Sequence, residues 1–551
     1  MGDARSGADA FLDQLGAAGV RWIFGNPGTT EQAVIDKIQD HEGIALVVAL
    51  HEGVAVAAAD GYARASGGVG VVEVHAGPGL GNALGTLYNA RMGGTPLLVY
   101  VGQSEQSRIH TEPTLSGDFT AYASPWVKWA YEIRSAEEIP QVVRRALKVA
   151  DTPPRGPVVL SLPFDLSTAP CAAPALPPSR VPTAVRPDPK AIEDAVRLLV
   201  DAKAPALIVG DGVVASGAIA EVGALARLLG APVFGGSMSE VCVDPDEPLR
   251  AARLPFEGAA AERLLAPYDA VVAVGTKVLA QIFPLAGPPL GGRRVVHIGL
   301  DPWELAKNQP SAVVFGDERL AIVDLLAALQ AAGSQRARGW GERRARVAAD
   351  LESARERALA ADRARWDASP MTPARALAEV AAALPANVYL ADETISSYGV
   401  AARYLRLPAG HWFRGRGGGV GIGMAMALGV QLAHPDAPVL GIVADGSAMY
   451  SLTALWTGAH HDLPVVWAIL NNKSYRLLKQ NTIGYRGAVP GRAFVGADLT
   501  DPDIDFVALA KGMGVEGCRI GDPAAIGPAL RAAFDARRPA LLDLVVSGDV
   551  S

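Results

Sequence analysis

The sequence is poor in cysteine, aromatic residues and charge. Of its 551 residues, 6% are aromatic, 19% are charged, and three are cysteines: Cys171, Cys242 and Cys518. The cysteines lie far apart and form no CxxC pair, which argues against a disulfide framework or a zinc site and is typical of a reducing compartment. The net charge of −7 argues against the basic stripe that nucleic-acid-binding proteins carry.

Long apolar segments are also missing. The N-terminal stretch MGDARSGADAFLDQLG contains early acidic residues and lacks the apolar centre of a signal peptide. The longest uncharged stretch, between Arg416 and His434, is Gly-rich and too short for a membrane span. Half of the residues are nevertheless hydrophobic, which is enough for a large core. We therefore expect a cytoplasmic protein that binds neither membrane nor nucleic acid.

Short apolar runs recur along the chain, and each ends in a Gly- or Pro-rich turn followed by a helical pattern. Continuous Val/Ile/Leu runs favour strands buried on both faces of a parallel sheet, and their alternation with helices indicates βαβ units. Examples are VGVVEVH, LLVYVG, VVLSLP, ALIVGDG, AVVAVG, VVHIG, VYLADE, VLGIVADG and VVWAILNN.

Two stretches are typical of connectors between domains. Residues 169–189 are Pro-rich, and residues 331–370 are rich in Ala and Arg and predict an exposed helix. We therefore predict an α/β protein with three doubly wound parallel-sheet domains, at residues 1–180, 190–340 and 365–551. Ligands of such sheets bind outside the carboxyl ends of the strands, so functional residues should follow the apolar runs.

Two of these runs deliver metal-ligand side chains. The run VLGIVADG ends in Asp445 and Gly446, and the run VVWAILNN ends in Asn471 and Asn472. On neighbouring parallel strands, Asp445 and Asn472 would meet at one edge of the sheet, and their oxygens suit Mg²⁺. Gly446 would let backbone N–H groups approach an anion. Alternatively, Asp445 is a helix N-cap and Asn472 a turn residue, but the pair at this spacing favours the metal site.

The segment ADGSA…NN resembles the motif of thiamine-diphosphate-dependent enzymes, which is written GDG followed by NN; Ala444 departs from it. The resemblance implies pyrimidine-binding, middle and diphosphate-binding domains, in that order. It also implies that Asp445, Asn472 and the carbonyl of Ser474 hold the Mg²⁺ that grips the diphosphate. Other matching positions are expected to contact the cofactor: Thr394, Ser396, Gly446, Ser447 and Tyr475.

A single acid opens an otherwise apolar helix in VVALHEGVAVAAADGYARA, where Glu52 precedes a charge-free stretch from Gly53 to Ala59. Taken alone, Glu52 is explained by the helix dipole. The resemblance implies instead that it engages N1′ of the pyrimidine of another subunit's cofactor. His75, in VEVHAGPGLGNALG, then matches a proton-transfer histidine, although a lone histidine at a strand end is more often structural. Thr29, in FGNPGTTE, matches a serine that binds the substrate carboxylate.

The Gly-rich segment GRGGGVGIGMAMALG fits close approach of the backbone to a ligand. By resemblance, Val420 supports the thiazolium ring where Met or Leu is usual, and the carbonyl of Gly418 receives the 4′-amino group.

Within the superfamily, the chain is most similar to the benzoylformate decarboxylases, through segments such as FGNPGTTE, HEGVAVAAADGYARAS and NNKSY. The departures fall at expected pocket positions. Ile282, with Gln281 beside it, replaces a second active-site histidine, and slower proton return would favour carboligation. Arg476, Leu477 and Lys479 replace small and aromatic residues. The two cations are either solvated or indicate an additional anionic group on the substrate.

These observations predict a carboxy-lyase that depends on thiamine diphosphate and Mg²⁺ and converts a 2-oxo acid into an aldehyde and CO₂. Aromatic 2-oxo acids are among the candidate substrates. The alternatives are an acetolactate-synthase-like carboligase, a lyase of acyl-CoA substrates, or a non-catalytic member of the superfamily. A glutamate that acts on a partner's cofactor requires at least a homodimer, and relatives are often tetramers. The middle domain has no cofactor signature, so a bound FAD or nucleotide remains an open alternative.

Overall fold

Three parallel β-sheets with helices on their faces form the protein in the computed structural model, which describes residues 5–240, 242–278, 290–307, 310–333, 337–489, 491 and 493–550. This confirms the predicted fold class. The chain packs as two units. The first contains Met1–Val181, Asp367–Tyr398 and Gly415–Ser551, and the second contains Pro182–Trp366 and Gly399–Arg414.

The N-terminal part of the chain, up to residue 181, forms the first sheet. Its strands are β1 (Trp22–Gly25), β2 (Ala45–Val48), β3 (Gly70–Val74), β4 (Leu97–Gln103), β5 (Trp129–Glu132) and β6 (Val158–Pro163). Its helices are α1 (Gly7–Ala17), α2 (Gln32–Lys37), α3 (Glu52–Ser66), α4 (Ala76–Gly93), α5 (Phe119–Ala123), α6 (Ile139–Asp151) and α7 (Phe164–Thr168). The strand order β2-β1-β3-β4-β6-β5 places the topological switch point between β1 and β3.

The second sheet belongs to the second unit. Its strands are β7 (Pro205–Val209), β8 (Val233–Gly235), β9 (Ala270–Val274), β10 (Arg294–Gly299) and β11 (Ala312–Phe315), in the order β11-β10-β9-β7-β8. The helices of this part are α8 (Pro189–Leu199), α9 (Asp211–Ala215), α10 (Ile219–Leu229), α11 (Gly258–Leu265), α12 (Pro302–Lys307), α13 (Glu318–Ala332) and α14 (Ala337–Arg363).

The C-terminal part contains the third sheet. Its strands are β12 (Tyr389–Glu393), β13 (Trp412–Arg414), β14 (Val439–Ala444), β15 (Val465–Asn471), β16 (Glu516–Ile520) and β17 (Ala540–Val545). Its helices are α15 (Pro373–Ala383), α16 (Tyr398–Tyr404), α17 (Gly423–Ala433), α18 (Asp445–Ala448), α19 (Ala454–His460), α20 (Arg476–Arg486), α21 (Phe506–Gly512) and α22 (Ile526–Ala536). The strands of the first unit follow the order β12-β14-β15-β17-β16, so a switch point lies between β12 and β14.

The apolar runs of the sequence are strands, as predicted. All nine quoted runs contain a strand, and β3, β4, β6, β7, β9 and β15 are buried along their whole length. This burial follows from the helices on both faces of a parallel sheet, which leave no solvated side for polar residues. Among the described residues, no helix has both the length and the hydrophobicity needed to cross a membrane.

Two helices join the first and third sheets within the first unit. Helix α3 and helix α17 approach so closely that a Cβ atom at Gly429 would lie 1.8 Å from the Ala58 carbonyl oxygen. A Cβ atom at Gly61 would lie 2.3 Å from the carbonyl oxygen of Met426. The backbones of the two helices are therefore in direct contact at Gly429 and Gly61. A larger residue at either position would force the helices apart.

We predict that Gly429→Ala lowers the free energy of unfolding by at least about 1–3 kcal/mol, because the added methyl group overpacks the α3–α17 contact. Thermal and urea unfolding of the purified protein measure this loss. Gly512→Ala is the matched control, since Gly512 ends helix α21 and a Cβ atom there meets nothing within 4 Å. Equal stability of the two variants would contradict the prediction.

Candidate active site

The carboxyl ends of β14 and β15 bring the predicted metal ligands to one edge of the third sheet. The two strands are paired in parallel with Ala444 opposite Leu470, so Asp445 and Asn472 follow at neighbouring positions. Asp445 is the first residue of helix α18 and is 2% exposed, while Asn472 is 9% exposed. The two predicted ligands are thus buried at the same strand ends.

Asp445 is a buried carboxyl group surrounded by backbone donors. Its Oδ1 accepts a hydrogen bond from the Gly446 backbone N–H at 2.8 Å, and its Oδ2 accepts one from the Ser474 N–H at 3.3 Å. Burial raises the pKa of Asp445 to about 6, although backbone N–H groups of Gly446 and residues 472–474 favour the charged form. A bound cation would stabilise that charged form further.

The two adjacent asparagines have different surroundings. The Asn471 side chain donates a hydrogen bond to Asp543 Oδ1 at 2.9 Å, so it is used within the sheet. The buried Asn472 Oδ1 has no hydrogen-bond partner in the described part of the chain. An orphaned amide oxygen beside a buried carboxylate fits the oxygen ligands that Mg²⁺ prefers. Within the described ranges, no group of three or more His, Cys, Asp or Glu residues forms an alternative metal site.

The residues around Asp445 include three further predicted cofactor contacts. Ser447 is buried within α18, and the Tyr475 ring lies against Gly446, where a Cβ atom would be 2.5 Å from its Cε1. The Ser474 hydroxyl donates a hydrogen bond to the carbonyl of Ala497 at 3.0 Å. These contacts place Ser447, Ser474 and Tyr475 around the same strand ends as Asp445.

The Gly-rich loop before α17 is held by a residue that the sequence analysis missed. Glu393, the last residue of β12, accepts hydrogen bonds from the N–H groups of Gly421 at 2.7 Å, Ile422 at 3.3 Å and Gly423 at 2.8 Å. Gly418 and Gly421 have φ values of +86° and +94°, a backbone conformation that favours glycine. Burial raises the pKa of Glu393 to about 7, against the effect of the three N–H donors. Glu393 therefore fixes the loop that carries Gly418 and Val420.

The loop presents the remaining predicted contacts near the same edge. Val420 is 40% exposed at its tip, and Asn89 of α4 brackets Gly419 by accepting from its N–H at 3.0 Å and donating to its carbonyl at 3.1 Å. Thr394 follows β12 directly, and its buried hydroxyl has no hydrogen-bond partner among the residues described. Ser396 lies in the next turn and is half-buried. We refer to Asp445, Asn472, Thr394 and the loop 418–420 as the C-terminal half-site.

Glu52 opens helix α3 at the carboxyl edge of the first sheet. His51 caps the helix by accepting from the Gly53 N–H at 3.0 Å, and the Glu52 carboxylate is only 5% exposed. It accepts hydrogen bonds from the side-chain amides of Asn82 at 3.0 Å and Asn26 at 3.4 Å. A carboxylate that served only the helix dipole would lie in solvent, so its burial against two amides favours a binding role.

His75 follows β3 and is held by a second residue that the sequence analysis missed. Its Nδ1 lies 2.8 Å from Glu31 Oε2, and the Glu31 carboxylate is fully buried. Glu31 also accepts from the Thr30 hydroxyl at 2.6 Å and the Ala76 N–H at 3.3 Å. A carboxylate on Nδ1 favours the tautomer with a proton there and leaves Nε2 free for proton transfer. We refer to Glu52, His75 and Glu31 as the N-terminal half-site.

The structure brings few of the predicted substrate contacts to the two half-sites. The Thr29 side chain is exposed, and it is the hydroxyl of the neighbouring Thr30 that approaches His75 Nδ1, at 3.2 Å. Leu477 is 39% exposed on α20. Gln281 and Ile282 lie outside the described residues.

Arg476 and Lys479, the two cations of helix α20 at expected pocket positions, have partners. Arg476 Nε donates a hydrogen bond to the backbone carbonyl of Asp549 at 2.7 Å. Lys479 forms an ion pair with Asp498 and lies 5.7 Å from the centroid of the Phe494 ring. Lys479 is therefore not a freely solvated cation, and its ammonium group already has a counter-charge.

The two half-sites lie at opposite ends of the first unit. Val48, four residues before Glu52, donates its N–H to His461 Nε2 at 2.9 Å, and His461 precedes the amino end of β15. The seven residues of β15 then separate that end from Asn472 by about 20 Å. Asn89, which contacts Gly419, lies near the far end of helix α4 from His75, about 21 Å along the helix axis. Within one chain, the two half-sites therefore do not meet.

Three family models match successive parts of the chain. The model described as "Thiamine pyrophosphate enzyme, N-terminal TPP binding domain" matches residues 5–122. The models of the central domain and of the C-terminal TPP binding domain of the same enzymes match residues 192–326 and residues 394–544, respectively. The outer two matches contain the N-terminal and the C-terminal half-site, respectively.

Full-length relatives and a solved structure agree with these matches. The chain is 31% identical to benzoylformate decarboxylase of Pseudomonas aeruginosa over 537 residues, which cover 96% of each chain. It is 29% identical to the acetolactate synthase large subunit of Parasynechococcus marenigrum, over 98% of this chain and 87% of that one. A thiamine-diphosphate-dependent 4-hydroxybenzoylformate decarboxylase from Rhodococcus jostii superposes with a TM-score of 0.85 at 28% identity, over 99% of this chain and 100% of that chain.

We predict that Asn472→Ala weakens Mg²⁺-dependent binding of thiamine diphosphate on the order of 100-fold, a loss that even outer partners of a metal site reach. Isothermal titration calorimetry with and without Mg²⁺ measures the change. Asn471→Ala is the matched control: it removes the bond to Asp543 and should lower stability by about 1–3 kcal/mol while leaving cofactor affinity unaltered. The opposite order of the two affinities would assign the metal to Asn471.

Proposed function

Because the chain belongs to the thiamine pyrophosphate enzyme family, we propose that it decarboxylates a 2-oxo acid to an aldehyde and CO₂, with Mg²⁺ and thiamine diphosphate as cofactors. The observation that carries this proposal is the pairing of His75 with the buried carboxylate of Glu31. Decarboxylation ends with the return of a proton to carbon, and a histidine oriented by a carboxylate is suited to deliver it. The names of two relatives, benzoylformate decarboxylase and 4-hydroxybenzoylformate decarboxylase, support an aromatic 2-oxo acid.

The C-terminal half-site is where the cofactor's diphosphate would be held. Asp445, Asn472 and the carbonyl of Ser474 would bind Mg²⁺, and the hydroxyl groups of Thr394 and Ser396 would face the phosphate oxygens. When bound, thiamine diphosphate supplies the electron sink that decarboxylation requires. The contribution of the chain is to hold the cofactor, orient it and exclude water.

The N-terminal half-site would carry the proton transfers. The Glu52 carboxylate, which accepts hydrogen bonds from Asn26 and Asn82, would engage the pyrimidine N1′ by a charge-assisted hydrogen bond in a water-poor setting. His75 Nε2 would hold and return the proton at the reacting carbon, with Glu31 fixing the ring through Nδ1. Thr29 is proposed to orient the substrate carboxylate through its hydroxyl group.

The distance between the half-sites supports a homodimer as the active form. A cofactor held at Asp445 and Asn472 would lie about 20 Å from the Glu52 edge of the same chain, by the length of β15. A second copy of the chain would supply the missing N-terminal half-site to each cofactor. Two active sites per dimer follow from the two-fold symmetry of such an assembly.

A panel of 2-oxo acids that includes benzoylformate and 4-hydroxybenzoylformate, incubated with the holoenzyme, tests this function. We expect an aldehyde as the product in the NMR spectrum. Formation of acyloin in the presence of an aldehyde acceptor would instead support carboligation, as in the acetolactate synthase relatives. A holoenzyme that binds the cofactor with Mg²⁺ but turns over no member of the panel would contradict the proposal.

We expect Glu52→Gln to lower kcat by a factor of about 10²–10⁴, the range that general acid–base groups contribute, while leaving the fold intact. Steady-state kinetics, with circular dichroism as the check on folding, measures both effects. Glu42→Gln serves as the control, because Glu42 is an exposed acid of the same domain. Near-normal turnover by Glu52→Gln would refute the assignment of Glu52.

A further inference from the structure

A third acid lies behind the N-terminal half-site. Glu73 is in β3, two residues before His75, and it pairs with Gly25 of β1 on one side and Tyr100 of β4 on the other. Its side chain is completely buried. Neither carboxyl oxygen of Glu73 has a hydrogen-bond partner among the described residues, and the same holds for the Tyr100 hydroxyl. The mechanism proposed above does not use this group.

Two strand-end glycines provide the space for Glu73 and Glu31. A Cβ atom at Gly25 would lie 2.2 Å from Glu73 Oε2, and a Cβ atom at Gly102 would lie 1.9 Å from Glu31 Oε1. Gly25 and Glu73 are directly paired in the sheet, and Gly102 lies two residues beyond Tyr100, on the same face. Gly25 lies on β1 and Gly102 on β4, so the two carboxyl groups occupy gaps on one face of the sheet, on either side of β3, the strand that leads to His75.

The surroundings of the two carboxyl groups differ. Glu31 has three neighbouring donors, in Thr30, Ala76 and His75, which stabilise its ionised form. Glu73 has none. The titratable groups that face Glu73 are Glu31 before α2, Glu52 on α3 and Tyr100 on β4. Burial, with smaller contributions from the charges of Glu31 and Glu52, raises the pKa of Glu73 to about 9.

We propose that Glu31 and Glu73, on one face of the first sheet, together carry a single negative charge, with the proton on Glu73, and that Glu73 is thereby a positioning residue that limits the charge near His75. One charge, on Glu31, keeps the His75 proton on Nδ1 and leaves Nε2 able to accept and return a second proton. A second negative charge, on Glu73, would favour the doubly protonated form of His75 over the form that can accept a proton. The consequence for catalysis rests on the proposed function, whereas the charge of the pair does not.

The test compares Glu73→Gln, which copies a neutral carboxyl group, with Glu31→Gln, which removes the charged one. The His75 titration is followed by ¹⁵N NMR of the imidazole in the full-length protein without substrate. We expect the His75 imidazole of Glu73→Gln to titrate like that of the wild type below pH 8. In Glu31→Gln the midpoint of the His75 titration should fall by about one pH unit or more, since an opposite charge shifts a pKa by that amount. A fall of the midpoint in Glu73→Gln to the level of Glu31→Gln would overturn the proposal.

Thermal unfolding as a function of pH provides a second readout. In the folded protein Glu73 keeps its proton up to about pH 9, whereas in the unfolded chain it loses the proton above its usual pKa of 4.5. The wild type must therefore lose stability relative to Glu73→Gln as the pH rises from about 5 to 9, and the difference in Tm should level off above that range. A Tm difference that does not vary with pH overturns the proposal. Glu42→Gln, which replaces an exposed acid, serves as the control, and its Tm difference from the wild type should not follow this pH dependence.

The wild-type protein alone decides the question if Glu73→Gln does not fold. A protonated buried carboxyl group gives an infrared C=O band distinct from that of carboxylates. Glu393, with a pKa of about 7, loses its proton before Glu73 does, so we expect the band of Glu73 to persist at about pH 8.5 and to disappear at higher pH. The absence of a C=O band at about pH 8.5 overturns the proposal. None of the three measurements requires turnover, so an enzyme inactive on every 2-oxo acid would refute the proposed function without affecting this result.

Discussion

The contact between helices α3 and α17 determines how the two halves of the site are arranged. Because Gly429 meets the Ala58 carbonyl and Gly61 meets the Met426 carbonyl, the first and third sheets are locked by backbone contacts. This helix contact brings the carboxyl edge of the first sheet, at Val48, to the amino end of β15 in the third sheet. Each chain therefore carries its two half-sites about 20 Å apart, so they do not meet within one chain.

The fold was predictable because it depends on local patterns. Apolar runs with Gly or Pro turns mark strands buried on both faces, and the structure contains a strand in each of the nine runs. The spacing of Asp445 and Asn472 also sufficed to place them side by side, because adjacent parallel strands end at the same edge. The nearly charge-free stretch after Glu52 likewise indicated a buried helix, which α3 is. In these cases the information lies within one strand–turn–helix unit.

Glu31 and Glu393 were missed because their partners are distant in sequence. Glu31 contacts His75 across 44 positions, and Glu393 accepts from N–H groups 28 to 30 positions later. The local sequences, TTE at Glu31 and ADE at Glu393, do not distinguish these two acids from ordinary acids at a helix start or a strand end. The assignment of the hydroxyl group shows the same limit, because the choice between Thr29 and Thr30 depends on the path of a turn. Only the three-dimensional contacts identify such residues.

The buried acids show what sets charge in this site. Burial raises the pKa of Asp445, Glu393 and Glu73, but the size of the shift follows the N–H donors that each of them receives. Asp445 and Glu393, which accept from several backbone N–H groups, reach a pKa of about 6 and about 7. Glu73, which accepts from none in the described part of the chain, reaches about 9. The backbone therefore decides which carboxyl groups can be anions at neutral pH.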